Sequence, residues 1–436
     1  MAGVEADICW KKAIFRPKKF VVMFKSLVLG FLIFISILAC WSCKKKLSDR
    51  LTEGPWLGTI AFDSLDQVPF NFEVSRDSAG AYLITVINAG ERIRVTETTF
   101  DGDTIEWRMP VFQSVIRAGY KSKGLMGWYY PKGTGNGGAF PFAAVENQTL
   151  RFPHLTQNAE ADLTGRWKIT ENPGTPEEAI LIGEFKQENN RLTGTILSPF
   201  GDYRFLEGVV SGSLMTLSGF DGCHAVVLTS RIDKDGTLTE GRFAGSSSWK
   251  SHWVAERNDT IQLPSQQSLV RIKPDSPKPF FSLKNIDGKM ISLSDEKFAN
   301  KVVVMQVSGT WCPNCMDEAR LFSILYGEYK DRGLEVVSLF FETANFDESA
   351  ARIKRFADHT NLNYTLLWAG KRGRQERDSL IFMVDGKMAF PTTIYLDRKG
   401  NARFVETGFS GPGTGKHYDE TIADVKQKIE LLLNEK

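Results

Sequence analysis

Two cysteines three residues apart, in Trp311-Cys312-Pro313-Asn314-Cys315, are the residues of this chain best suited to do chemistry. The run before them, Lys301 to Ser308, is apolar and of strand length; after them Ala319, Phe322, Tyr326 and Tyr329 recur at helical spacing. Cys312 therefore falls at a strand-to-helix turn. Unpaired backbone N–H groups at such a turn favour a thiolate, lower its pKa and make it a nucleophile. Cys315 lies close enough to close a disulfide with it, and the pair reads as a dithiol/disulfide redox centre. A zinc site would want two further ligands. Cys223-His224 has no second ligand pair at usable spacing, so no metal is expected and Cys223 is expected to be a buried free thiol.

The elements that must hold this pair come from a large chain. At 436 residues, 42% hydrophobic and 24% charged, there is material for two or three globular domains and no sign of wholesale disorder. Basic and acidic residues number 54 and 52 and are spread along the chain, which removes the electrostatic case for a nucleic-acid partner. Of six cysteines, Cys9, Cys40 and Cys43 lie in or before a targeting segment. The remaining Cys223, Cys312 and Cys315 are too few for a disulfide-stapled scaffold and suit a single redox pair.

Residues 1–43 read as a signal or anchor segment. Ser26 to Ala39 has about the length of a secretory apolar region and falls short of the roughly 20 residues of a membrane-spanning helix. Ile37-Leu38-Ala39-Cys40 resembles the bacterial lipoprotein signal, in which the cysteine is acylated; Cys43 is the alternative acceptor. A single membrane anchor over residues 20–41 is the competing reading, and Met23 is a second candidate start. Either way the folded part is expected outside the cytoplasm.

From about residue 51 to 260 short β-rich runs alternate with Gly, Asn and Asp turns, a pattern of an antiparallel barrel or sandwich. The region is duplicated. Gly54-Pro55-Trp56 returns as Gly165-Arg166-Trp167, and Phe142 to Asn147 as Trp253 to Asn258, at one common offset. This divides it into repeats at 44–160 and 161–260; two meanders closing on one another and two barrels side by side both fit. Residues 261–275 are polar and Pro-rich, as a linker would be. From 276 to 436 strands and helices alternate, giving an α/β layer architecture with a mixed sheet.

This C-terminal segment resembles the thioredoxin-fold domain of the TlpA/ResA type, the periplasmic or membrane-anchored thiol-disulfide oxidoreductases. The resemblance is carried by Pro279-Phe280-Phe281, Ile286-Asp287-Gly288, Trp311 to Cys315, Phe390-Pro391-Thr392-Thr393 and Asp397-Arg398-Lys399-Gly400, in the family's order. It implies that Cys312 is the exposed attacking thiolate and that Cys315 resolves the mixed disulfide. Glu318, one helical turn beyond Cys315, would accept its proton. Pro391 would be the cis-proline opposite the cysteines, with Trp311, Phe390 and Thr392 contacting substrate.

The function this implies is an extracytoplasmic disulfide reductase in a bacterial envelope, periplasm-facing and tethered by its N-terminus. It would act on protein or small-molecule disulfides, draw on a membrane electron donor, and need no cofactor beyond the disulfide itself. The alternative is a binding lipoprotein whose duplicated β region takes a ligand or partner. A peroxidase would want threonine three residues before its cysteine in a Pro-x-x-x-Thr-x-x-Cys frame; Thr310 stands two before Cys312 and the proline is missing. Acylation at Cys40 is checked by the mass of the mature N-terminus with and without globomycin. An uncleaved, unacylated product would remove the lipoprotein reading.

Overall fold

The computed structural model describes residues 51–435 apart from 96, 123, 133–137 and 247. The signal segment with Cys40 and Cys43, and most of the Gly-rich run 133–138, lie outside the described residues.

The β region folds as its alternation dictates. In Gln67–Arg76, Val68, Phe70, Phe72 and Val74 face inward while Gln67, Glu73 and Arg76 face solvent. Nine antiparallel strands run from Gly54–Ala61 to Phe140–Glu146, each beside its chain neighbour, and the last returns to pair with the first. Among the described residues the ring is interrupted only between the consecutive strands Glu91–Val95 and Glu97–Asp101. In the second repeat the ring closes fully. Gly165–Glu171 pairs with both Ala179–Glu188 and Lys250–Arg257, and Ala179–Glu188 pairs onward with Arg191–Ser198. Closure leaves no exposed sheet edge. The second repeat closes on itself and the first does so but for that one gap, so the region is a pair of barrel-like sheets.

The duplication extends to hydrogen bonds. Trp56 Nε1 donates to the Thr52 carbonyl at 3.0 Å and Trp167 Nε1 to the Leu163 carbonyl at 2.9 Å. Trp56 stands opposite Glu146 and Trp167 opposite Arg257, at the same offset. Between the barrels, Asn88 Nδ2 donates to the Phe220 carbonyl at 2.8 Å and its Oδ1 accepts from the Phe220 N–H at 3.2 Å. Buried Arg151 donates to the carbonyls of Ser218 and Ile87, at 2.9 and 2.6 Å.

The C-terminal domain is a seven-stranded mixed sheet. Its centre is Val302–Ser308, parallel to Leu334–Glu342 on one side and antiparallel to Thr392–Leu396 on the other. Val302 and Val304 face the helices Pro313–Tyr329 and Lys416–Asn434, packing with Phe322, Leu325, Ile429 and Leu432. Val303, Met305 and Val307 face the opposite layer with Phe281, Ile381 and Met383. This is the thioredoxin fold with both sheet faces covered. The stretch read as a linker is largely built into this domain: Gln266–Leu269 is a helical turn, Val270–Ile272 pairs with Val384–Gly386, and Gln266 Oε1 accepts the Thr407 N–H at 2.9 Å. Val270, 2% exposed, is the apolar anchor that a reading from composition overlooks.

Both barrels and the C-terminal domain belong to one compact unit, joined at Arg204. Its guanidinium pairs with Glu91 of the first barrel and with Asp317 of the helix that starts at the cysteines, and Nη1 lies 3.4 Å from the Pro313 carbonyl. Burial alone would lower the Arg204 pKa, but Asp317, Glu91 and Asp221 together hold it above its ordinary value. Arg204→Met strands two carboxylates in the junction. It is expected to cost about 3–5 kcal/mol in urea unfolding. A change within experimental error would show that the junction does not depend on the ion cluster.

Candidate active site

Cys312 ends the loop after Val302–Ser308 and is the N-cap of the helix Pro313–Tyr329, with proline at its first position. Its Sγ accepts the Cys315 N–H at 3.1 Å, an interaction that favours a thiolate when the pair is reduced. Cys312 and Cys315 form a disulfide, with α-carbons 5.2 Å apart. The Phe390–Pro391 bond is cis, and the Phe390 carbonyl oxygen lies 3.6 Å from Cys312 Sγ. Trp311 meets the Phe390 ring edge to face at 4.9 Å and is covered by the Arg372 guanidinium at 3.6 Å; its Nε1 donates to the Phe341 carbonyl at 2.9 Å. The structure thus brings Trp311, Cys312, Cys315, Phe390 and Pro391 together.

Two expectations need correction. Thr392 does not present its side chain to a substrate: it is fully buried, and its hydroxyl donates to the Ala389 carbonyl at 2.7 Å and lies 3.0 Å from Thr407 Oγ1. Cys312 is not an exposed thiol either, being 6% exposed. The second barrel also packs beside the site. Its segment 198–204 lies so close to the site that a Cβ at Gly408 would fall 2.6 Å from the Phe200 backbone, and one at Gly201 would meet Asn314 at 2.9 Å. Asp202 accepts from Asn314 Nδ2 at 3.2 Å and from the Gly411 N–H at 2.7 Å.

Glu318 lies on the inner face of the active-site helix, against the sheet. Its Oε1 accepts from Thr393 Oγ1 at 2.6 Å and its Oε2 from Gln306 Nε2 at 2.9 Å. Burial pushes its carboxyl up to about 8, against the lowering effect of those two hydrogen bonds. It also lines a cavity of about 290 Å³ shared with Tyr395, Glu406 and His417. On the other side of the loop, Thr310 donates its N–H and its hydroxyl to Glu342 at 2.7 and 2.8 Å.

A thioredoxin fold with a Cys-x-x-Cys disulfide at a helix N-terminus beside a cis-proline defines a thiol-disulfide oxidoreductase. Comparison with known proteins agrees. The AhpC/TSA family matches residues 274–405. The thioredoxin-like protein YneN of Bacillus subtilis (strain 168) is 32% identical over 162 residues, 37% of this chain and 82% of that protein. The thiol-disulfide oxidoreductase ResA of Bacillus cereus (strain ATCC 10987 / NRS 248) is 28% identical over 136 residues, 31% of this chain and 69% of its own length. A chloroplastic peroxiredoxin Q of Suaeda salsa is 34% identical over 157 residues, 35% of this chain and 68% of its length. Through its C-terminal domain the chain belongs to the thioredoxin-like proteins and is a thiol-disulfide oxidoreductase.

The order of residues in the chain does not single out Arg204, Asp202 or Gln306. Their relevance comes from neighbours more than ten residues away, and no local pattern marks them.

The raised Glu318 pKa fixes a pH dependence. Between its ordinary value of 4.5 and about 8 the folded carboxyl holds a proton that the unfolded one has lost. Its contribution to stability is therefore full below that window and is lost as pH rises through 8. Glu318→Gln stays neutral throughout. In urea unfolding it should gain on the wild type by roughly 2–5 kcal/mol between pH 5 and pH 9. Parallel stability curves for the two proteins would disprove the assignment.

Proposed function

We propose that this chain is an extracytoplasmic disulfide reductase that exchanges the Cys312–Cys315 dithiol with protein or small-molecule disulfides. The observation that carries the proposal is Cys312 Sγ at the helix N-cap, held by the Cys315 N–H and facing the Phe390 carbonyl beside the cis bond. In the reduced protein the Cys312 thiolate attacks a substrate sulfur and expels the other as thiolate. Cys315 then attacks Cys312, re-forming the internal disulfide and releasing the second substrate thiol. Cys315 is fully buried with Glu318 on the next turn of the helix, and that carboxyl, raised to about 8, can take the Cys315 proton once it is itself ionised, above that pH. Phe390 and Trp311, both part-exposed, are the apolar surfaces available to an extended substrate.

The envelope location and the membrane electron donor rest on the N-terminal sequence and on the resemblance to the TlpA/ResA type. A peroxidase reading gains nothing from the site, because the Thr310 hydroxyl is committed to Glu342. The ion cluster at Arg204 favours a β region that works with the redox centre over an independent binding module.

Insulin reduction measures the proposal directly. Cys312→Ser is expected to abolish it, and Cys315→Ala to accumulate substrate as a mixed disulfide on Cys312. Undiminished turnover by Cys312→Ser would refute the assignment.

A further inference from the structure

A second nucleophilic cluster abuts the redox loop. Cys223, the free cysteine among the described residues, places its Sγ 3.2 Å from the carbonyl oxygen of Trp311, the residue just before Cys312. It is part-exposed, not buried as the sequence suggested. His224 Nε2 lies 3.8 Å from that sulfur, and His224 Nδ1 lies 3.6 Å from Asp221 Oδ2. Asp221 Oδ1 accepts the N–H groups of Cys223 and His224 at 2.7 and 2.6 Å, which fixes the turn. Cysteine, imidazole and carboxylate thus stand in the order that converts a thiol to a thiolate.

The turn is also held from outside. In the first barrel, Ser114 Oγ donates to the Gly222 carbonyl and Tyr129 Oη to the Cys223 carbonyl, the latter at 3.4 Å. Both barrels therefore press Cys223 against the active-site loop. Beside it lies a cavity of about 200 Å³ lined by His224, Asp221, Trp249, Pro313 and Asn314. Arg204, 5% exposed, lines the same cavity; its Nε is 3.9 Å from Asp221 and has no hydrogen-bond partner, so an acceptor on an incoming molecule would find a donor there.

The geometry points to Cys223 as a third thiol of the redox centre, one that takes over the disulfide by attacking Cys312 and offers it to an external thiol reductant at a more accessible sulfur. The inference rests on Cys312 being the exchanging sulfur. The Cys223 thiolate, its proton passed to His224, bonds to Cys312 Sγ while the Cys312–Cys315 bond breaks and Cys315 leaves as a thiolate that takes up a proton. An external thiolate then attacks Cys223, freeing Cys312, and a second external thiol releases Cys223 as a thiol. Two external thiols become one disulfide and the protein's disulfide becomes two thiols, so the electrons balance. The contact at the Trp311 carbonyl holds the α-carbons of Cys223 and Cys312 within about 9 Å on standard backbone dimensions. That bound includes the roughly 4.4–6.8 Å of a disulfide. Of the three cysteines Cys223 is the most exposed residue, Cys312 being 6% exposed and Cys315 fully buried.

The test uses the reduced full-length chain carrying Cys315→Ser, with Cys9, Cys40 and Cys43 also replaced by serine, and dithiodipyridine at one equivalent. Attack by Cys312 releases one thiopyridone; displacement by Cys223 releases a second and leaves a Cys223–Cys312 peptide cross-link, read by non-reducing peptide mass mapping. Both releases with the cross-link are the expected result. With His224→Gln the second release should slow about tenfold, and an unchanged rate would overturn the role given to His224. A thiopyridyl adduct that persists on Cys312 beside a free Cys223 would overturn the relay and leave the proposed function standing. Failure to form any adduct on Cys312 would overturn both.

Discussion

The buried guanidinium of Arg204 is the contact on which the arrangement of this protein turns. One side chain, 6% exposed, reaches a carboxylate in the first barrel and a carboxylate in the active-site helix while its own backbone belongs to the second barrel. It sits at φ 56, a left-handed conformation unusual for a residue with a side chain, and its N–H is held by Asp202 Oδ1 at 2.6 Å. Asp202 in turn binds Asn314 and the Gly411 N–H. Desolvating these charges is costly, and packed apolar side chains of the same volume would stabilise the junction at least as well. What the ion cluster adds is direction: several charges with fixed partners admit one docking of barrels on redox domain, whereas an apolar contact tolerates sliding.

That docking explains why the two carboxyl groups nearest the cysteines behave differently. Asp317 and Glu318 are adjacent in the chain and both buried, and burial raises both, Asp317 to about 6 and Glu318 to about 8. Asp317 faces the barrel and is drawn back by Arg204, so it serves the junction. Glu318 faces the sheet, meets only neutral donors, and keeps a proton near neutral pH. A helix that turns successive residues through about 100° has separated a structural carboxylate from one able to exchange a proton.

How much of this was legible in the sequence follows from how local each feature is. The strand-turn-helix around Cys312, the alternating β runs and the repeated Gly-x-Trp are written within a few neighbouring residues, and hydrophobic period is enough to read them. Whether the repeats formed one structure or two depends on the pairing of Gly165–Glu171 with Lys250–Arg257, a contact across the whole repeat. Arg204 has partners 113 residues away on either side, so no window of sequence could reveal its role. Cys223 looked inert for the same reason. The Cys223-His224 dipeptide stands out in the sequence, but the decisive neighbour, Trp311, lies 88 residues on. Thr392 misled in the opposite direction: its place beside the cis-proline suggested substrate contact, while strand alternation turns its side chain into the core.

Covering Cys312 changes the chemistry as well as the access. Cys312 is 6% exposed, and the Cys315 N–H that its sulfur accepts belongs to the helix start. Such a site favours substrates that bring their own apolar surface to the Trp311–Phe390 pair and displace the remaining water, because exclusion of water strengthens the stabilising N–H contact. The barrels hold the more accessible sulfur, Cys223, at the Trp311 carbonyl, while Cys312 faces the Phe390 carbonyl. On the proposed relay, a redox centre built this way meets its oxidised substrate at Cys312 and its reductant at Cys223, a division that a thioredoxin fold with a single exchanging cysteine does not provide.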